Sequence, residues 1–221
     1  MAIESSPNRK LYHITHISNL SSIIQAGGIL SGTELRRAGV HATNIGHTTL
    51  KESRAKKVVP VDPGGTLEDY VPLFFSTRPP MIIVISKGAV EGYDGPQEEV
   101  IYLVSSISTI TQTSCRWCFT DGHAREEITV FLNELEALDC IDWGVIGHWD
   151  YRPTLSDPDR KRKKQAEFLV HGCLPWECIE TIGVMSEKMR GPVQEILNAS
   201  SSHHIPNINI QANWYHNKKE G

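Results

Sequence analysis

Apolar residues in this chain come in short runs, separated by glycine, proline and charge. Residues 10–16 (KLYHITH), 71–75 (VPLFF), 100–104 (VIYLV), 167–170 (EFLV) and 179–185 (IETIGVM) are rich in Val, Ile, Leu and aromatics. Runs of four to eight such residues bounded by turn formers read as strands. Pro72 places 71–75 at a sheet edge or a bend, because proline cannot donate to a ladder. Helical spacing is clearest in three segments. Residues 19–26 put Leu20, Ile23 and Ile24 on one side, with Ser18 as N-cap and Gly27-Gly28 as the stop. Residues 131–138 carry apolar side chains at 131, 132, 135 and 138, and 187–198 form the third helix. The run MIIVI after Pro79-Pro80 fits either a buried strand or a helix started by proline. Strands and helices mixed in this way predict a single α+β domain over 1–221, with 1–8 as a flexible leader.

No apolar run approaches the ~18 residues of a membrane span, and the N-terminus MAIESSPNRK lacks the features of a secretory signal. The cytoplasm is the expected compartment. The five cysteines are an odd number without a secretory context, so no disulfide framework is expected. Cys115 and Cys118 form a lone C-x-x-C with no second half at zinc-site spacing, which reads as two reduced core thiols and no metal. The net charge of −4 excludes a globally basic nucleic-acid protein. Charge is nevertheless local: residues 160–164 (RKRKK) form one basic run, and Lys51, Arg54, Lys56 and Lys57 a second. Each is either a solvated face or part of a site for an anionic ligand.

From Ser31 to Lys57 the chain is polar and weakly periodic, with single turns of helix near 34–37 and 51–57. Long polar stretches inside compact proteins are commonly functional or mobile. Three constellations have chemical potential. His13 on the opening strand is either structural or a ligand contact; Thr15, Asn19 and Gly27-Gly28 nearby leave room for a ribose or diphosphate. Glu167 opens an apolar strand directly after the basic run. It is either an edge residue or a placed carboxylate, suited to holding a hydroxyl or steadying positive charge at a sugar carbon. Arg54 with Tyr70, Phe74 and Phe75 is either core or a flat surface for a planar ring.

Together these segments resemble one family. LYHITHISNL, then LKESRAKKVVPVDPGGTLEDYVPLFFSTRPPM, then FTDGHA, then DPDRKRKKQAEFLVHG, in this order, resemble the DarT family of DNA ADP-ribosyltransferase toxins over residues 11–185. The resemblance implies a mono-ADP-ribosyltransferase-like fold, a split, curved β-core with flanking helices around an NAD cleft. It implies that His13 binds the adenosine-side ribose of NAD and that Arg54 orients the phosphates and the reacting centre. Phe74 stands where the family has tyrosine in V-P-F-Y-F, the ring that stacks on nicotinamide; here the ring plane is kept and the hydroxyl is lost. Met81 matches the S-P-M position of the same pocket, Glu167 the catalytic glutamate, and residues 31–53 the segment covering NAD. His123 of FTDGHA falls in the region facing DNA. Arg152, Arg160, Lys161, Arg162 and Lys163, with Trp149 and Tyr151, supply the cations and aromatics that track a single strand.

The implied activity is transfer of ADP-ribose from NAD, without a metal, to a base of single-stranded DNA, thymine ahead of guanine. The implied partner is a macrodomain-containing, DarG-like antitoxin. The alternatives are a transferase of the same fold acting on RNA or protein, and a non-catalytic single-strand-binding module. A zinc module on Cys115 and Cys118 is a weaker one.

Overall fold

The computed structural model describes residues 8–46 and 48–216. In chain order the described strands and helices are β1 (Lys10–His16), α1 (Leu20–Gln25), β2 (Gly28–Leu30), α2 (Gly32–Ala38), α3 (Thr48–Lys56), β3 (Tyr70–Phe74), α4 (Pro80–Ser86), β4 (Val100–Ser106) and α5 (Ile107–Thr111). There follow β5 (Trp117–His123), β6 (Phe131–Leu132), α6 (Trp143–Gly147), α7 (Arg160–Lys163), β7 (Ala166–His171), β8 (Cys173–Pro175), β9 (Thr181–Val184), α8 (Glu187–Ala199) and β10 (Asn207–Ile210). The expected leader lies outside the described residues except for Asn8.

The main sheet has the order β10-β9-β4-β1-β3-β7-β5-β6, and β2 pairs with β8 in a small second sheet. All neighbours are antiparallel except β10 and β9. β1 runs in full register with β4 through seven residue pairs, but meets β3 at one pair, Tyr12 with Phe74. The sheet is therefore split between β1 and β3 into two halves. This is the mixed, curved and split architecture expected of the family.

Pro72 lies at that split, so of the two settings expected of it, an edge or a bend, the outer edge of the sheet is not the one found. β3 is interior, and Pro72 pairs with Leu169 of β7. Proline is tolerated because the ladder toward β1 has already parted; the Pro72 carbonyl is taken instead by the His13 ring at 2.9 Å. The first correction concerns 131–138. Phe131 and Leu132 pair with Thr120 and Phe119 as β6, and Leu135–Cys140 is 3-10 helix. The helical apolar spacing there loses to cross-strand pairing with β5. Second, the turn before α1 is capped by His16, whose Nδ1 accepts from the Ser18 N–H at 3.1 Å, not by Ser18.

Both faces of the sheet are covered, which is why all seven residues of β4 are buried. One face carries the larger cluster, with Met189, Val193 and Leu197, the i, i+4, i+8 stripe of α8, at the β9–β10 end, Phe168 beside Phe75 and Trp117 at the β7 end, and Leu11 and Leu103 between them. The other packs Ile14, Tyr102 and Val104 against Ile82 and Ile85 of α4 and Tyr215. The MIIVI run is thus helical, its first turn preset by Pro80.

Candidate active site

Directly opposed residues of antiparallel strands project to the same face. Tyr12 of β1 faces Phe74 of β3, and Phe74 faces Glu167 of β7, so the three form one row across the split. Glu167 is 3% exposed, and both carboxylate oxygens are held. Oε2 accepts from Arg54 Nη1 at 2.9 Å, and Oε1 accepts from the backbone N–H of Ala124 at 3.1 Å. Arg54 comes from the last turn of α3, so the polar stretch 31–57 delivers its guanidinium onto the sheet. The second terminal nitrogen, Nη2, is buried without a partner among the described residues. An unmet buried donor costs about 1–3 kcal/mol. Such an atom beside a paired carboxylate fits an oxygen of a bound ligand.

Two histidines have defined tautomers, His13 at the split between β1 and β3 and His123 beside Glu167. His13 Nδ1 faces a carbonyl, so it carries the proton and leaves Nε2 as an acceptor. Burial lowers its basicity, only partly offset by the Pro72 carbonyl, so the ring is neutral near pH 7. His123, opposite Ala166 at the end of β5, accepts the Arg125 N–H on Nδ1 at 3.2 Å, leaving Nε2–H as a donor. Burial also lowers this ring; Glu167 pulls it upward, while Arg54 and Arg125 push it down.

Thr15 and Asn19 do a different job from the open contact expected of them. The Asn19 amide donates to Thr15 Oγ1 at 3.0 Å and to the Thr43 carbonyl at 2.9 Å, and its oxygen takes the Thr43 N–H at 2.7 Å. The pair thereby anchors the segment before α3 over the end of β1. Met81, half-buried at the start of α4, packs beside Gly46 of the same segment. Gly28 is not brought to the Glu167 row. It starts β2, and a Cβ there would stand 2.3 Å from the Leu174 carbonyl oxygen and 2.8 Å from Cys173 Sγ. Its missing side chain is required by strand packing. Of the aromatic trio, Phe74 alone joins the row. Tyr70 donates to the Gly64 carbonyl inside the core, and Phe75 stands edge-on to Trp143 and Phe168.

The basic run does not form an open cationic track. Arg162 spends its guanidinium on both carboxylate oxygens of Asp159 and of Asp121 and on Thr129 Oγ1. Lys163 pairs with Asp157 and Asp142. Lys164 is 2% exposed and donates to the carbonyls of Ile146 and His148, at 2.5 and 2.6 Å. Arg160 reaches the Asp150 carbonyl, and Arg152 makes a two-pronged contact with the Asp150 carboxylate. Lys161 is exposed, as is Trp149 at 63%. The acids that bind the run were in view within DPDRKRKK itself, since Asp157 and Asp159 are two of them. The Ala124 N–H and Thr120 were missed; a glycine inside a strand, Gly122, was their available signal.

Cys118 is a buried core thiol, pushed up to about 12 by burial. Among the described residues no group of three or more His, Cys, Asp or Glu side chains converges as a metal site, and no helix is long and apolar enough to cross a membrane.

Residues 12–216 match the family model described as "ssDNA thymidine ADP-ribosyltransferase, DarT". A DNA ADP-ribosyl transferase of Thermus aquaticus is 35% identical over 211 residues, covering 95% of this chain and 90% of that protein. DarT of Thermus sp. 2.9 in complex with ADP-ribosylated ssDNA superposes with a TM-score of 0.89 at 34% identity, covering 96% of this chain and 98% of that one. The same protein in complex with NAD+ superposes with a TM-score of 0.85, covering 96% and 99%. A DNA ADP-ribosyl transferase–DNA ADP-ribosyl glycohydrolase fusion protein of Thermosipho africanus is 24% identical over 198 residues, covering 90% of this chain and 48% of that protein. The chain belongs to the DarT family of DNA ADP-ribosyltransferases.

Proposed function

We propose that this transferase moves ADP-ribose from NAD to the N3 position of thymine in single-stranded DNA. The reading places it in the cytoplasm as the toxin of a toxin–antitoxin pair, reversed by a macrodomain glycohydrolase. The observation that carries it is the Glu167 carboxylate, fixed by Arg54 and the Ala124 N–H, beside the unmet Nη2 of Arg54. The family description supports thymine, and the complexes of the Thermus protein support NAD and a single strand. The Thermosipho fusion, which joins transferase and glycohydrolase in one chain, supports the partner.

The residues fit the dinucleotide. His13 Nε2 offers an acceptor for a ribose hydroxyl, Arg54 Nη2 a donor for a phosphate or ribose oxygen, and Phe74 a ring face for nicotinamide, with Met81 beside it. Bound NAD supplies the ADP-ribosyl group by cleavage of its nicotinamide–ribose bond, the bonding electrons leaving with nicotinamide. Glu167 holds the 2′-hydroxyl and stabilises the positive charge that grows at C1′, an electrostatic effect aimed at the transition state. As the N3–C1′ bond forms, the N3 proton passes to Glu167, and the thymine keeps its new substituent without net charge. His123, with Nε2–H turned outward from its Arg125 contact, holds an oxygen of the acceptor base. A base needs to leave its stack before a ring nitrogen is reachable, which favours a single strand. Lys161 steers its phosphates, with Trp149 as a stacking surface.

The test is incubation with NAD and, separately, random single-stranded DNA, RNA and protein, followed by mass spectrometry of digested products. Thymidine carrying one ADP-ribose is the expected product. The same adduct on guanosine or on an RNA or protein residue overturns the acceptor, and binding without NAD consumption overturns catalysis.

A further inference from the structure

Between the pairs Phe119–Phe168 and His123–Ala166, β5 advances four residues while β7 advances two. The surplus is extruded as a bulge directly opposite Glu167, a common device for re-aiming groups beside a site. Thr120, fully buried, closes it. Its Oγ1 accepts the Glu167 N–H at 3.1 Å and donates to the Gly122 carbonyl at 2.7 Å. From outside, the Arg162 guanidinium lies against Gly122 so closely that a Cβ there would stand 2.3 Å from Nη1. Arg162 also grips Asp121, and with it Thr129, whose hydroxyl donates to the His123 carbonyl at 2.8 Å. Residues 121–124 are thus held from both sides, and the strand they end on presents the Ala124 N–H to Glu167 Oε1.

We infer that Thr120, backed by Arg162, is a positioning residue: it shapes the β5 bulge so that the Ala124 N–H fixes the orientation of the Glu167 carboxylate. The inference rests on Glu167 being the catalytic carboxylate of the proposed reaction. It also gives Arg162 a role other than contact with DNA phosphates. Without Oγ1 the Glu167 N–H and the Gly122 carbonyl lose their partner, the bulge relaxes, and the carboxylate keeps one of its two anchors. Misplacement of a reacting group by about 1 Å costs on the order of 100-fold in rate.

The experiment measures kcat, KM for NAD and oligonucleotide Kd for Thr120→Val, Thr120→Ser, Arg162→Lys and Glu167→Gln. Thr120→Val, close to isosteric, is expected to lose about 100-fold in kcat with KM and Kd within about twofold of wild type. Thr120→Ser, which restores the hydroxyl, is expected to recover most of that loss; a purely packing role, which needs the methyl group, predicts no recovery. Unchanged kcat in folded Thr120→Val, or equal losses in the Val and Ser variants, overturns the inference. Arg162→Lys keeps the charge and loses the fork, so it keeps the test open if Thr120→Val does not fold. Its expected loss is in kcat alone. A fall in oligonucleotide affinity with kcat unchanged makes Arg162 a DNA contact and overturns its share. Glu167→Gln separates the two readings: if it transfers ADP-ribose normally, the proposed reaction fails; if it is inactive while Thr120→Val is normal, the positioning inference alone fails.

Discussion

Arg54 Nη1 reaches Glu167 Oε2 across 2.9 Å, joining residues 113 positions apart in the chain. The pair ties the end of the polar segment to the floor of the sheet, so loss of either partner has different consequences. Glu167→Gln keeps the shape and accepts the Ala124 N–H, but removes the charge. It should bind NAD and DNA nearly normally and lose on the order of 100-fold or more in turnover. Arg54→Ala leaves the carboxylate buried with one partner, and should weaken NAD binding as well as turnover. Single-turnover kinetics with titrations of both ligands separate the two; matching profiles for the two variants would refute the division of roles.

Phe74 stands between Tyr12 and Glu167 in the cross-strand row. Phe74→Tyr should stay active, whereas Phe74→Ala should weaken NAD binding by about 1 kcal/mol through loss of ring contact. A calorimetric titration decides it. Unaltered affinity in a folded Ala variant returns the ring to a core role, alongside Ile14 and Ile82.

Short apolar runs bounded by turn formers made β1, β3, β4, β7 and β9 legible, because a strand buried on both faces is apolar throughout. Pro72 was legible in part: proline argues against a continuous ladder, and the split in the sheet is a place where the centre has none. At the site, single residues were legible where their type was unusual for the setting, as with Glu167 opening an apolar strand. What could not be read was pairing. Whether Arg162 faces solvent or Asp121 depends on a contact spanning 41 residues, and Ala124 acts through a backbone N–H that side-chain chemistry does not announce.

Gly28 provides a test of packing against binding. A methyl group there meets Cys173 Sγ and the Leu174 carbonyl, and the carbonyl does not yield without moving β8. Gly28→Ala should lose roughly 1–3 kcal/mol of stability, the usual cost of overpacking. NAD affinity per folded molecule should not change. Chemical denaturation gives the first quantity and titration the second; a selective loss of NAD binding at wild-type stability would place Gly28 in the ligand site.

Lys161 is the exposed member of α7, whereas Arg162 and Lys163 are committed to carboxylates. Lys161→Gln should therefore weaken oligonucleotide binding and lower the log–log salt slope by about 0.7, the share of one phosphate contact on a single strand. NAD affinity should be unaffected. Trp149→Ala should weaken the same binding by about 1–3 kcal/mol, with little effect on the salt slope, because stacking is not ionic. If both variants bind as wild type does, the strand takes another path.

The His13 ring sets a pH dependence whose sign follows from its surroundings. Burial, opposed only in part by the Pro72 carbonyl, puts its folded pKa below the ordinary imidazole value of about 6.5. As pH falls, the unfolded chain binds a proton at that site before the folded one does. Stability from His13 is therefore complete above about pH 6.5 and is lost as pH falls through the lowered folded value. Protonation also removes the Nε2 lone pair proposed for the ribose, so NAD affinity should decline over the same interval. His123 is shifted in the same direction and contributes with the same sign, so the acid loss is shared. His13→Asn retains an N–H for the Pro72 carbonyl but does not titrate. Its melting temperature should fall less than that of the wild type between pH 7 and 5, and its weaker NAD binding should be flat across that range. Parallel melting curves for the two proteins would show that His13 has the same pKa in the folded and unfolded chain, and that the acid sensitivity belongs to other groups, His123 among them.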